Sequence, residues 1–453
     1  MDNCARRTYP IDMLQKQLAV FAFMLWLSLT LLAACQSPPT GPRLAAHTLA
    51  GDDFSLRLAR EAEFDAIVQV FPWREIEPTQ DQFHWEVPDR LVAGAEYYGL
   101  EVVARLDQHP AWASPVDLSL NAPPDKPEDY EDYVRRVVDR YRGRIKAYII
   151  WNEPNLAIEW GGQPPDPVAF TGLLRRGYET VKAVDPQARV VAAGLAPTNS
   201  QDAQAMDERL FLEAMYRAGA ARYFDVLAAH PYSFGLSPSA PASDRRHPAF
   251  RRLAELRQIM LDNGDRRKPV WITEMGWTID PPPEQPDIGV TPEQQAAYLV
   301  EAMDLIRREW PWVELITVWN LSPPQPGDPF GGYSLLNPDG RPRPAFDAWR
   351  QAAGSRANRG LAVGQREQHN PVTILARDVI IHLGDSNMPP PWWPLYAGRK
   401  PSLTWTGGFY LVDPGEADWL LLLELMQQNE MGATVIINGA PLSPDLPQQD
   451  LTR

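Results

Sequence analysis

"IIWNEPNL", residues 149–156, joins an apolar run to an amide, a carboxylate and a proline. The residues leading into it, Ala147-Tyr148-Ile149-Ile150-Trp151, have the composition of a buried strand. A carboxylate at the end of such a strand is costly unless it is paired or put to use. A solvated strand end is the plain alternative for an isolated Asn-Glu-Pro, so the rest of the chain has to decide.

Outward from this stretch the same unit repeats. Apolar runs occupy residues 66–71, 100–106, 145–151, 189–193, 224–229, 269–273 and 314–319, and an eighth strand falls within 43–49. Helix-like segments lie between them. In "PEDYEDYVRRVVDRYRG", residues 127–143, Tyr130, Tyr133, Val134, Val137, Val138 and Tyr141 recur at helical spacing. In "TPEQQAAYLVEAMDLIRREW", residues 291–310, Thr291 caps a helix opened by Pro292. Continuous apolar strands alternating with helices predict a parallel sheet covered on both faces. Eight such units over residues 43–350 predict a (β/α)8 TIM barrel. An open doubly wound sheet is the other arrangement, but no glycine-rich phosphate fingerprint follows any strand.

The flanks read differently. Arg6, Arg7 and Lys16 precede an apolar stretch over residues 18–34 that ends in Leu32-Ala33-Ala34-Cys35. This is the layout of a bacterial secretory signal over residues 1–35, and its last four residues resemble a lipobox, which implies lipidation of Cys35 and an extracytoplasmic place in the cell envelope. Met13 fits such a signal's start better than Met1. A transmembrane anchor is the alternative, although 17 residues is short for a span. Residues 36–42 form a proline-rich tether. With Cys4 lost and Cys35 lipidated, no thiol remains for a disulfide or a cysteine metal site. After a linker over residues 351–370, the segments "TILARDVIIHLG", "SLTWTGGFYLVD", "DWLLLLELMQQNE" and "GATVIINGAPL" predict a small β-rich domain over residues 371–453. It is short for a complete sandwich and resembles part of a jelly roll.

Composition narrows the partners. Among 453 residues, 58 acidic against 43 basic side chains give a net charge of −15 with no basic patch, which argues against nucleic acid and favours neutral ligands. Seven histidines without any HExxH-like spacing offer no catalytic metal site, and no cofactor is implied. "HLGDSN", residues 382–387, lacks the later histidine that a serine-type hydrolase needs as base, because His382 is the last in the chain.

In a barrel the C-terminal ends of the strands share one mouth. These ends present Gln69 and Trp73; Asp107, His109 and Trp112; Asn152 and Glu153; His230 and Tyr232; Glu274 and Trp277; and Trp319 and Asn320. Glu153 and Glu274 end the fourth and seventh strands, which face each other across an eight-stranded mouth. Two facing carboxyl groups are what glycosidic bond cleavage requires.

"IIWNEPN" and "WITEMGW" resemble the acid/base and nucleophile motifs of clan A glycoside hydrolases, the retaining (β/α)8 enzymes. Residues 71–113 are similar to the second and third strands of the β-xylosidase and bacterial exopolysaccharide-hydrolase branches. The resemblance covers about residues 43–350. It implies an O-glycosyl hydrolase acting on a polysaccharide or oligosaccharide, with Glu153 as acid/base and Glu274 as nucleophile. It further implies that Asn152 binds the sugar 2-hydroxyl, that Tyr232 contacts the nucleophile and that Trp319 floors the sugar. His109 and His230 would line the same subsite, with Trp73 and Trp277 as further substrate-binding rings. In one respect the chain departs from the family: Gln69 stands where an arginine near the nucleophile is usual, and losing that cation would raise the nucleophile's pKa. A transglycosylase would share every one of these residues. A non-catalytic polysaccharide-binding lipoprotein is the rival from another class.

Overall fold

The computed structural model describes residues 41–244 and 247–360, together with five short strands at 380–382, 403–406, 409–412, 434–437 and 440–441. Eight parallel strands close into a barrel: β1 (Arg43–His47), β2 (Ala66–Pro72), β3 (Glu101–Asp107), β4 (Ala147–Ile150), β5 (Arg189–Ala192), β6 (Val226–Ala229), β7 (Val270–Met275) and β8 (Val313–Val318). Closure is visible at Ala45, which stands opposite Ala66 of β2 on one side and Thr317 of β8 on the other. All eight strands fall within a few residues of the apolar runs that predict them.

A helix follows each strand: α1 (Asp53–Glu61), α2 (Glu86–Tyr97), α3 (Pro127–Arg140), α4 (Pro167–Val184), α5 (Glu208–Arg217), α6 (Leu253–Asp262), α7 (Pro292–Glu309) and α8 (Pro344–Gly360). Their starts are set locally. Asp52 accepts from the Ser55 N–H at the head of α1, and Asp166 accepts from Val168 and Ala169 at the head of α4. Thr291 and Gln294 form a reciprocal capping box on α7, whose first residue is Pro292. Each cap satisfies backbone donors that the first helical turn leaves free.

The strands bury both faces, which is why they read as unbroken apolar runs. Along β4, Ala147 and Ile149 point into the barrel with Ala45, Val68, Val103, Val191 and Trp271. Tyr148 and Ile150 point outward into the larger layer between sheet and helices. These inward side chains fill the barrel interior so that no pore remains, and the open end at the strand C-termini becomes the place for a site.

The helix α8 runs on to Gly360, ten residues into the segment expected to be a linker. "QAAGSRANRG" is rich in alanine and arginine, strong helix formers. The five C-terminal strands, β9 (Ile380–His382), β10 (Leu403–Thr406), β11 (Phe409–Val412), β12 (Thr434–Ile437) and β13 (Ala440–Pro441), form one sheet in the order β10-β11-β9-β12-β13. They fall in three of the four segments expected to be strands; "DWLLLLELMQQNE" lies outside the described residues. Because β9 pairs in parallel with both β11 and β12, the sheet is mixed, unlike the antiparallel sheets of a jelly roll. Among the described residues no helix is long and apolar enough to cross a membrane. The expected signal, Cys35 and most of the tether lie outside the described residues.

Candidate active site

The turn after β4 aims Glu153 into the mouth. Trp151 and Glu153 adopt positive φ, 73° and 34°, a region that side-chain-bearing residues seldom enter. Such conformations cost on the order of 1–3 kcal/mol each and persist only where surroundings fix them. Here the Trp151 N–H donates to the Leu106 carbonyl at 3.2 Å and the Glu153 N–H to the Gly194 carbonyl at 3.1 Å. The Trp151 indole donates to the Glu159 carbonyl at 2.8 Å. An apolar strand therefore ends in a tightly held corner with a carboxylate at its tip.

Three side chains meet there. His230, beyond β6, lies with Nδ1 2.7 Å from Glu153 Oε1 and 3.8 Å from Glu274 Oε2. One carboxylate oxygen from each glutamate and a ring nitrogen of His230 all lie within 4.8 Å of one another. These atoms are close enough to hold a metal ion, and an ion there would occupy both carboxylates. His230 Nε2 is 3.0 Å from Thr273 Oγ1, which fixes the ring. Gly194 makes room for it, since a Cβ at that position would lie 2.2 Å from His230 Nε2.

Glu274 sits in a cationic, donor-rich pocket. Arg105 Nη1 donates to Glu274 Oε1 at 2.8 Å and to Asn152 Oδ1 at 3.0 Å. The Tyr232 hydroxyl donates to Glu274 Oε2 at 3.0 Å. Burial pushes the Glu274 pKa up, but the charges of His230 and Arg105 and the Tyr232 hydrogen bond outweigh it and hold the carboxyl below its ordinary value. Glu274 is thus kept ionised, as a nucleophile must be. Burial likewise opposes charge on His230, yet Glu274 and the hydrogen-bonded Glu153 raise its pKa above the ordinary imidazole value. The imidazolium form donates from Nδ1 to Glu153.

Further charged groups ring these. Arg105 Nε lies 3.0 Å from Oδ2 of the buried Asp107, so one guanidinium spans Asp107, Asn152 and Glu274. Glu159, half-buried, accepts from the Asn121 amide at 2.9 Å. Burial, then the charge of Glu153, pushes its pKa up to about 7.

Of the residues expected in the site, Glu153, Glu274, Asn152, His230 and Tyr232 converge as described. Trp319 stands beside them, partly exposed, with its ring 5.5 Å edge-on from Tyr333. Three others turn away. Trp73 is fully buried against Tyr133 and Trp112 and donates its indole N–H to Glu77. Trp277 is buried against Phe250 and Tyr298 and donates to the Leu236 carbonyl. His109 is buried with Nε2 3.2 Å from the Val116 carbonyl and Nδ1 accepting from the Ala122 N–H, so it braces the β3–α3 loop. None of the three offers a ligand a free face. Gln69 accepts from the Thr48 hydroxyl at 2.6 Å and donates to the Leu49 carbonyl at 3.3 Å, with no hydrogen bond to Glu274. Arg105, one strand over and in mid-strand, supplies Glu274 with the cation that Gln69 does not. The sequence reading missed Arg105, Glu159 and Tyr333. For Arg105 the signal was present: an arginine inside the apolar run "VVARLD", two residues from Val103, which faces into the barrel.

No protein-family profile matches the chain, and no curated protein matches it in sequence. Solved structures match it in fold. A family 39 glycoside hydrolase from the gut symbiont Bacteroides cellulosilyticus WH2 aligns with a TM-score of 0.57 and 22% identity, covering 70% of this chain and 64% of that one. A glucosidase from Croceicoccus marinus aligns at 0.53 and 15% identity, covering 71% and 70%. The β-glycosidase BGL167 aligns at 0.50 and 16% identity, covering 73% and 99%. The chain spans less than two thirds of the length of the first of these. At such identities the likeness is one of fold.

Proposed function

We propose that this chain is a retaining glycoside hydrolase that cleaves O-glycosidic bonds of an oligosaccharide or polysaccharide. The observation that carries the reading is the Glu153–His230–Glu274 cluster: two carboxyl groups from facing strands, bridged by one imidazole, at the mouth of a barrel. The fold it shares with solved glycosidases lends further support.

In this reading Glu274, ionised, attacks the anomeric carbon, and the bond to the leaving oxygen breaks as Glu153 protonates that oxygen. The covalent glycosyl-enzyme is then hydrolysed by water that Glu153 deprotonates. The close approach of the carboxylates fits this route, since retaining enzymes hold theirs about 5–5.5 Å apart and inverting ones leave room for a water. His230 Nδ1, 2.7 Å from Glu153 Oε1, is positioned to hand Glu153 the proton that the leaving oxygen takes up. Arg105 and Tyr232 keep charge on Glu274. Asn152, oriented by Arg105, is placed to bind the 2-hydroxyl, and Trp319 offers a flat apolar face to the ring.

The test is a glycan-panel digestion with wild-type protein and Glu274→Gln, followed by NMR of the first-formed anomer. Turnover lost in the variant and a product of unchanged configuration are expected. Inverted product would reject the nucleophile role, and turnover surviving in Glu274→Gln would reject the site. We also propose lipid anchoring through Cys35 in a bacterial envelope, from the lipobox-like Leu32-Ala33-Ala34-Cys35. Cys35→Ser should release a soluble or unprocessed form on fractionation; normal cleavage and firm membrane binding would contradict it.

A further inference from the structure

From Glu274 a row of aromatic rings runs outward to the surface. Tyr232, whose hydroxyl holds Glu274 Oε2, meets Tyr333 edge-on with centroids 5.7 Å apart. Tyr333 meets Trp319 at 5.5 Å, and Trp319 meets Phe330 at 5.4 Å with the rings 80° apart. The row begins at the nucleophile and ends at Phe330, which is 55% exposed.

Tyr333 and Phe330 belong to the segment between β8 and α8, and a buried polar frame fixes it. The Arg343 guanidinium donates to the carbonyls of Gly331, Gly332 and Ser334 at 3.1, 3.2 and 2.7 Å. Gln295 donates to the Gly332 carbonyl at 3.0 Å. Gly276, just after Glu274, allows the approach, because a Cβ there would lie 2.6 Å from the Trp319 carbonyl and 3.2 Å from the Tyr333 ring. Phe330 is therefore held in a set position. Large apolar residues exposed singly need no explanation; this one extends an aromatic wall that starts at the chemistry.

We propose that Phe330 is a platform for the sugar unit next to the one at the cleavage point, so that the preferred substrates are chains of sugars rather than single-sugar glycosides. The inference rests on the glycosidase reading and adds to it a site and a minimum substrate length. An aromatic face suits the C–H face of a pyranose, and it tolerates different hydroxyl patterns because its contacts are apolar.

The experiment takes the oligosaccharide that the wild-type protein cleaves fastest in the glycan panel and shortens it one sugar at a time to its 4-nitrophenyl monoglycoside. kcat/KM is measured across the series for wild type, Phe330→Ala and Phe330→Trp. Wild type should favour the longer members; Phe330→Ala should cut that preference about tenfold, the scale of one aromatic contact, and Phe330→Trp should restore it. A preference unchanged in Phe330→Ala, or a wild type indifferent to length, overturns the platform and leaves the glycosidase reading standing. Absence of turnover throughout the panel overturns the glycosidase reading and the platform with it.

Discussion

Arg105 shows at the scale of one residue how the site is tuned. It donates to Glu274 and Asn152 while Asp107 faces its Nε. A cation beside a carboxylate favours the charged form, so removing it raises the carboxylate's pKa. The proposed route needs Glu274 ionised. Arg105→Met should therefore move the acidic limb of the kcat/KM profile to higher pH by roughly one unit or more and lower the plateau; an acidic limb left in place would show that the guanidinium does not tune the nucleophile. The same scale explains which site residues were legible. Glu153 and Glu274 stand out because a carboxylate ending an apolar run has no cheap structural excuse. Arg105 does not, because in one dimension it is simply a charge inside a strand, and its importance depends on the inward half of the alternation. Trp73, Trp277 and His109 share the strand-end position of the functional residues, but their polar atoms are already taken by Glu77, Leu236, Val116 and Ala122. Position along a strand was readable; the direction of a side chain beyond its end was not.

Among elements, seven strands were legible as apolar runs and the helix over Pro127–Arg140 as a 3.6-residue pattern, because both faces of the sheet are covered. What escaped was the close approach between neighbouring strand ends. Gly194 follows β5 in "AAGLAP" and reads as an ordinary turn glycine. In space its missing side chain is what admits the His230 ring from β6, and its carbonyl holds the Glu153 N–H. A methyl group placed 2.2 Å from His230 Nε2 would force the imidazole away from Glu153 or shift the strand end. Gly194→Ala is therefore expected to lower kcat about a hundredfold, the lower range for impaired general acid–base catalysis. Substrates with good leaving groups should lose less, since they need little proton donation. Equal loss on both substrate types would place the damage elsewhere than in the Glu153–His230 pair.

For the molecule as a whole, the site's charges bear on stability through His47. This residue ends β1, is buried, and has both ring nitrogens without hydrogen-bond partners, with Nε2 3.9 Å from Glu274 Oε1. Burial is the main reason its pKa falls to about 3, and Glu274 opposes that fall only partly. The unfolded chain takes up a proton on this histidine near its ordinary value of about 6.5, whereas the folded one resists until far lower pH. The unfolded state thus binds more protons between these two values, and stability from this residue is present in full above the unfolded pKa and lost as pH falls towards the folded one. From about pH 7 to about pH 4 the loss is on the order of 3 kcal/mol. Other groups titrate over the same range, so the informative quantity is the difference between wild type and His47→Leu, each measured by urea unfolding. The variant should gain on wild type as the solution is acidified, by about that amount. A difference that stays constant with pH would mean that His47 is charged in the folded barrel, held there by Glu274 in spite of its burial.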